Sequence, residues 1–192
     1  MITPGTKIPE FKTAACVSTE PGHEFKDIGS RDFPGKWLVL YAYPKDFTFV
    51  CPTEIVEFDS RLRAFEERGA VVLGGSTDNE YAHLAWRKEN DQLARLRHPL
   101  LFLSPAIVEG LGILHPTAGV ALRATVIVDP EGIVRFASAN DLEVGRNVEE
   151  ILRVLDGLQT GELCACNWRP GDETITQQMK EQSATEGPRR NN

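Results

Sequence analysis

The sequence predicts an α/β domain built on a mixed central sheet, and three observations carry that expectation. Residues 37–43 (WLVLYAY) form a near-continuous apolar run bounded by Pro34-Gly35 and Pro44, the pattern of a central strand covered on both faces. Apolar residues at helical spacing follow at Ile55, Phe58, Leu62 and Phe65, with acids and arginines between them. Residues 70–74 (AVVLG) then read as a second buried strand, so the chain alternates strand and helix as a layered α/β fold does.

The later elements continue the pattern. Tyr81, Leu84 and Ala85 mark a helix running to about Leu93. Residues 124–128 and 133–136 flank Asp129-Pro130-Glu131-Gly132, a tight turn with proline at its second position, and so predict a hairpin. Val148, Ile151, Leu152 and Leu155 give one more amphipathic helix. Thioredoxin-like folds have this order, and so do flavodoxin-like folds with an extra strand; periodicity alone does not separate them. The domain is expected to span residues 1–161. Past Gly161 the apolar pattern stops, leaving a cysteine-bearing arm at 162–180. The tail at 181–192 is polar, contains Gly187 and Pro188, and reads as disordered.

Composition narrows the function. The 192 residues are 41% hydrophobic and 26% charged, with a net charge of -7, which gives no basic face for nucleic acid or an anionic membrane. The longest apolar run is too short to cross a bilayer. The start, MITPGTKIPEF, lacks a basic segment followed by an apolar one, so a cytoplasmic protein is expected. Of the four cysteines, Cys164 and Cys166 have the wrong spacing for a zinc ribbon or a C-x-x-C redox pair. His23, His83, His98 and His115 show no metal-ligand spacing either. Inert buried thiols or thiol chemistry remain, and Cys16, which has no motif around it, reads as inert.

The most informative stretch is Tyr43-Pro44-Lys45-Asp46-Phe47-Thr48-Phe49-Val50-Cys51-Pro52-Thr53-Glu54, which joins a central strand to a helix. Functional sites of open α/β sheets gather at the carboxyl ends of strands. With Thr48 as N-cap, Cys51 falls in the first helical turn, where free N–H groups and the helix dipole favour a thiolate. The Thr48 hydroxyl is then one turn from the sulfur, and Pro44 can shield it from water. A cysteine after a buried strand is equally well a small core residue, and spacing leaves the two alternatives open.

The stretch resembles the active-site motif of peroxiredoxins, P-x-x-x-T-x-x-C, at Pro44, Thr48 and Cys51. FTFVCPTE is similar to the typical two-cysteine branch (the thiol-specific antioxidant family). Arg123 before ATVIVD, and DLEVGRNVEE with Arg146, look like the segments that carry the family's two site arginines. ELCACNWRPG resembles the C-terminal resolving segment, most closely that of the bacterial alkyl hydroperoxide reductase C group with its C-x-C. The likeness runs from about Ile8 to Ile175.

This resemblance implies a thioredoxin-like fold. It also implies reduction of hydrogen peroxide, alkyl hydroperoxides and peroxynitrite by a thiol, in antioxidant defence. By the same likeness Cys51 is the peroxidatic cysteine and becomes a sulfenic acid. Thr48 and Arg123 match the residues that hold the peroxide and the developing charge. Pro44 matches the residue that limits solvent access, and Glu54 and Arg146 match a supporting pair. Cys164 aligns with the resolving cysteine, which in the family forms a disulfide with the peroxidatic cysteine of a second subunit. The resemblance therefore implies a homodimer that assembles into a decamer or dodecamer ring, with no bound cofactor. The reductant it implies is thioredoxin, the flavoprotein of the alkyl hydroperoxide system, or a C-x-x-C adaptor.

Cys166 departs from the common pattern, which has alanine there; it is a second resolving thiol or a shuttle, against the alternative of a spectator. No G-G-L-G insertion lies near residues 92–99 and no Tyr-Phe-bearing helix ends the chain. Both absences predict resistance of Cys51 to overoxidation. Two other functions compete: a disulfide oxidoreductase, weakened because Thr48 stands where C-x-x-C would have its first cysteine, and a redox-controlled chaperone.

Overall fold

The computed structural model describes residues 1–185. Its chain divides into two compact units, Met1–Val148 and a second from Glu149 onward. The division falls earlier than the boundary expected after Gly161, because the helix that opens the second unit belongs with the cysteine-bearing segment.

The first unit is built on seven strands: β1 (Lys12–Cys16), β2 (Phe25–Gly29), β3 (Trp37–Ala42), β4 (Ala70–Ser76), β5 (Leu100–Phe102), β6 (Arg123–Val128) and β7 (Val134–Asn140). Their order across the sheet is β2-β1-β5-β4-β3-β6-β7. The sheet is mixed, as expected: β3, β4 and β5 are parallel, while β6 is antiparallel to β3 and β7, and β1 is antiparallel to β5 and β2. The helices of this unit are α1 (Cys51–Ser60), α2 (Leu62–Glu67), α3 (Glu80–Glu89) and α4 (Pro105–Gly110).

Strand β3 shows why residues 37–43 read as continuously apolar. Leu38, Leu40 and Ala42 join Leu73, Leu101, Leu103, Val126 and Val128 in one core. The alternate residue Tyr41 faces the other way and stacks on Phe58 of α1, ring centroids 4.0 Å apart. Gly74 of β4 lets that ring lie flat, since a Cβ there would run into the Tyr41 ring.

The hairpin at 123–140 forms as expected. The Gly132 N–H donates to the Asp129 carbonyl at 3.0 Å, and the Asp129 carboxylate caps the N–H groups of Glu131 and Ile133. Other details differ. The helical spacing from Ile55 to Phe65 serves two helices, interrupted at Arg61 (φ -94, ψ 4). Helix α3 stops at Glu89, before Leu93. β1, β2, β5 and α4 are short, and their few apolar residues give no run long enough to declare a period.

In the second unit, α5 (Val148–Thr160) precedes the segment holding Cys164 and Cys166, and α6 (Ile175–Thr185) follows it. Helix α6 is a correction: residues 181–185, expected as disordered tail, are helical. It starts from a capping box in which the Gln177 N–H donates to the Thr174 hydroxyl at 3.1 Å and the Thr174 N–H to Gln177 Oε1 at 3.0 Å. Residues 186–192 of the expected tail lie outside the described residues. Among the described residues no helix is long and apolar enough to cross a membrane.

Candidate active site

The loop that leaves β3 carries the chain from Tyr43 to Val50 and delivers Cys51 as the first residue of α1. Thr48 is not the N-cap. Val50 holds that position with helical backbone angles, and its carbonyl accepts the Thr53 and Glu54 N–H groups at 3.1 and 3.4 Å. Pro52 sits near the helix start, where a missing N–H costs nothing. Cys51 therefore keeps its expected place in the first turn, at the positive end of the helix dipole.

Cys51 is fully buried, at 0% exposure. Arg123, the first residue of β6, points its guanidinium at the sulfur, with Nη1 3.3 Å from Sγ. The same Nη1 donates to Glu54 Oε2 at 2.6 Å, and Nε donates to the Leu142 carbonyl at 2.8 Å. Glu54 lies one turn beyond Cys51 on the same helix, so the helical spacing brings carboxylate and sulfur to one guanidinium.

Arg146 closes the arrangement. Its Nε donates to Glu54 Oε1 at 2.8 Å and its backbone N–H to the same oxygen at 3.0 Å. Its Nη2 reaches Glu54 Oε2 at 3.2 Å and the Ala42 carbonyl at 2.7 Å, and its Nη1 donates to the Ala124 carbonyl at 2.8 Å. The guanidinium lies 5.4 Å from the Tyr41 ring centroid. Arg146 is thus a buried lock across β3, α1 and β6.

Electrostatics follow from this packing. Burial by itself would raise the Glu54 carboxyl, but the bonds and charges of Arg146, with Arg123 behind them, outweigh it and hold Glu54 below its ordinary range. Burial would lower Arg123, and the adjacent Cys51 sulfur and Glu54 carboxylate instead raise it. Two guanidiniums share one carboxylate, so a positive charge is left facing the sulfur.

Pro44 is buried at the head of the loop. Thr48 is half-buried, and its hydroxyl donates to the Lys45 carbonyl at 2.9 Å, closing a turn. The structure thus brings together Cys51, Arg123, Glu54 and Arg146, and turns the Thr48 hydroxyl to the loop backbone. In the second unit, Cys164 is half-buried beside the Thr160 hydroxyl at 3.5 Å, and Cys166 is exposed. Cys16 is buried, and burial pushes its thiol up against the opposing effect of Arg87.

Sequence reasoning assigns no role to a second buried polar group at this loop, made of Tyr43, Asp46 and His83. A signal for it exists: an acid next to the aromatic residues of the strand-to-helix loop, and a histidine on the buried face of α3 that also carries Trp86.

Comparison with known proteins agrees with this geometry. Residues 4–137 match the AhpC/TSA family. The chain is 45% identical over 184 residues to alkyl hydroperoxide reductase C of Mycolicibacterium smegmatis, covering 91% of this chain and 94% of that protein. It is 42% identical over 176 residues to the mitochondrial thioredoxin-dependent peroxide reductase of Drosophila melanogaster, covering 88% of this chain and 74% of that one. Among solved structures, Mycobacterium tuberculosis AhpC superposes with a TM-score of 0.80 at 44% identity, over 88% of this chain and 99% of the other. The reduced 2-Cys peroxiredoxin of Plasmodium vivax does so with a TM-score of 0.82 at 38% identity, over 88% and 91%. Fold and site together define a peroxiredoxin, a thiol peroxidase on a thioredoxin-like fold. The chain belongs to the AhpC/TSA family.

Proposed function

We propose that the Cys51 thiolate attacks the terminal oxygen of hydrogen peroxide or an alkyl hydroperoxide, releasing water or alcohol and leaving a sulfenic acid. Peroxynitrite is a further substrate of the same chemistry. The observation that carries this reading is the Arg123 guanidinium at 3.3 Å from the buried sulfur, with Glu54 and Arg146 fixing it there. Arginine suits the role because it stays charged at any working pH and presents a rigid fork of donors to the breaking O–O bond. Pro44 limits water at the sulfur. Thr48 supplies a second donor to the peroxide once its hydroxyl turns from the Lys45 carbonyl.

Cys164 of a second subunit then attacks the sulfenic sulfur, expelling water and forming an intersubunit disulfide. Cys166, exposed and two residues away, takes over that disulfide or passes it to the reductant. A thioredoxin-type protein, a flavoprotein reductase subunit or a C-x-x-C adaptor restores the thiols. The working form is a homodimer assembled into a decamer or dodecamer ring, acting in the cytoplasm.

One equivalent of hydroperoxide added to the fully reduced protein tests this. Peroxide is expected to vanish in milliseconds to seconds, with a disulfide-linked dimer on a non-reducing gel and neither event in Cys51→Ser. Cys166→Ser run on the same gel is expected to slow turnover with reductant while leaving the first disulfide in place. Consumption no faster than in Cys51→Ser would overturn the reading.

A further inference from the structure

We propose that Asp46 and His83 are a positioning pair that fixes residues 44–48 and thereby sets where Pro44 and Thr48 stand relative to Cys51. This rests on the peroxidase reading of Cys51 and concerns two residues with no role in it so far.

The inward turn of Asp46 is the first observation. Asp46 is 4% exposed, while Phe47 beside it is 54% exposed. The loop thus buries its carboxylate and shows its aromatic ring to solvent, the reverse of the order that the hydrophobic effect would impose. Something must compensate the carboxylate, and the structure provides it. The Tyr43 hydroxyl donates to Asp46 Oδ1 at 2.9 Å, and His83 Nδ1 lies 2.7 Å from Oδ2. The Asp46 N–H donates to Asp78 Oδ2 at 2.8 Å, and that oxygen also accepts the Ser76 hydroxyl at 2.9 Å. One loop residue is therefore tied to the end of β3, to α3 and to the turn after β4.

His83 is fully buried, and its Nε2 is 3.1 Å from the Leu101 carbonyl of β5. A carbonyl only accepts, so Nε2 carries a hydrogen. Nδ1 faces a carboxylate oxygen, so a proton lies on the Nδ1–Oδ2 line whichever atom holds it. At 2.7 Å the contact is a short hydrogen bond between two buried side chains. It links the loop through α3 to the sheet.

The backbone beyond Asp46 shows what the pair restrains. Phe47 has φ +55, a left-handed conformation that bulky side chains rarely adopt and that persists only where neighbours enforce it. Its ring lies 5.8 Å from Trp86, three residues after His83 on α3. Helix α3 thus holds two consecutive loop residues, Asp46 by a hydrogen bond and Phe47 by its ring. Thr48 comes next, its hydroxyl closing the turn onto Lys45. Releasing Asp46 lets the left-handed turn relax, and Thr48 moves with it.

A positioning role is separable from a scaffold role by comparing two reactions of the same sulfur. Peroxide reduction needs donors aligned with the breaking O–O bond, whereas alkylation by iodoacetamide does not. Both rate constants are measured in a Cys164→Ser, Cys166→Ser background, where sulfenic acid is the end of the peroxide step. Asp46→Ala is expected to slow the peroxide reaction roughly tenfold to a hundredfold while alkylation of Cys51 changes by less than about threefold. Asp46→Asn should recover most of that loss. Its amide oxygen accepts the Tyr43 hydroxyl, and its N–H donates to the bare Nδ1 of a neutral His83. Tyr43→Phe removes the hydroxyl's contacts with Asp46 Oδ1 at 2.9 Å and His83 Nδ1 at 3.4 Å and keeps the ring, and is expected to slow the peroxide step by about two- to fivefold; it decides the matter if Asp46→Ala does not fold. Equal loss in both reactions, an unchanged peroxide rate in Tyr43→Phe and Asp46→Ala, or no recovery in Asp46→Asn would overturn the proposal. A parent protein no faster than Cys51→Ser would overturn the peroxidase reading instead, and the pair's purpose with it.

Discussion

Cys51 and Cys164 sit in opposite surroundings. Cys51 is fully buried and meets a guanidinium held by a carboxylate, which a second guanidinium fixes in turn. Cys164 is half-buried and its hydrogen-bond partners are neutral: the Thr160 hydroxyl at 3.5 Å and the carbonyls of Gly157 and Glu162, each at 3.8 Å; the charge that acts on it, the Arg153 guanidinium, is already paired with Glu150. The difference matches the two demands of the chemistry. Cleaving an O–O bond develops charge, so donors fixed in advance lower its barrier. Attack of one sulfur on another needs access and a free path, which a cage of charges would deny. Under the proposed mechanism the two steps fall to a rigid polar centre and a lightly held thiol.

The largest effect that tests this contrast is on stability. Glu54→Ala leaves two buried guanidiniums without their carboxylate and is expected to cost about 3–5 kcal/mol in urea denaturation. Glu150→Ala removes the partner of Arg153 in the second unit, a pair open to solvent, and is expected to cost under about 1 kcal/mol. Comparable losses in the two variants would erase the distinction.

The same carboxylate gives a pH signature. Glu54 is held below its ordinary value of 4.5 in the folded chain, so the unfolded chain binds its proton first. Its contribution is complete above that ordinary value and is lost as pH falls through the depressed one. Unfolding midpoints measured from pH 7 down to pH 3 should fall more steeply below about 4.5 in the parent than in Glu54→Gln.

Two glycines give effects opposite in sign, both smaller than that of Glu54→Ala. Gly74→Ala drives a methyl into the Tyr41 ring and is expected to destabilise by about 1–3 kcal/mol. Gly157 lies within α5, where a Cβ would meet Cys164 Sγ at 3.7 Å and the Trp168 ring at 3.8 Å, ordinary contacts. Gly157→Ala should therefore stabilise by about 0.5–1 kcal/mol through helix propensity. Thermal unfolding of both variants checks the signs.

The centre of the fold is legible in the sequence and its margins much less so. β3 and β4 are long, buried on both faces and framed by proline and glycine, so their residues declare themselves. β5 is three residues long and β2 exposes most of its side chains, and neither carries a recognisable period. Helix α6 does announce itself, by Thr174 and Gln177 at capping-box spacing, but its few apolar residues hide it from a search for periodicity. At the site, motif likeness picks out Cys51, Arg123, Glu54 and Arg146, all of which converge. It cannot show that Arg146 is a buried lock, because that depends on carbonyls of Ala42 and Ala124 that no side-chain pattern encodes. The Asp46–His83 contact joins residues far apart in the chain, and no local spacing reveals it.

The central claim is that Arg123 activates the peroxide at Cys51, and its most direct test is a stopped-flow measurement of peroxide consumption by the reduced protein. Arg123→Gln is expected to be slower than the parent by a hundredfold or more, on the order of 10² to 10³. Arg63→Gln, a control at a solvent-exposed pair with Glu67, should match the parent. An Arg123→Gln rate within about threefold of the parent would contradict the account, because a donor that stabilises the transition state cannot be removed at so small a cost.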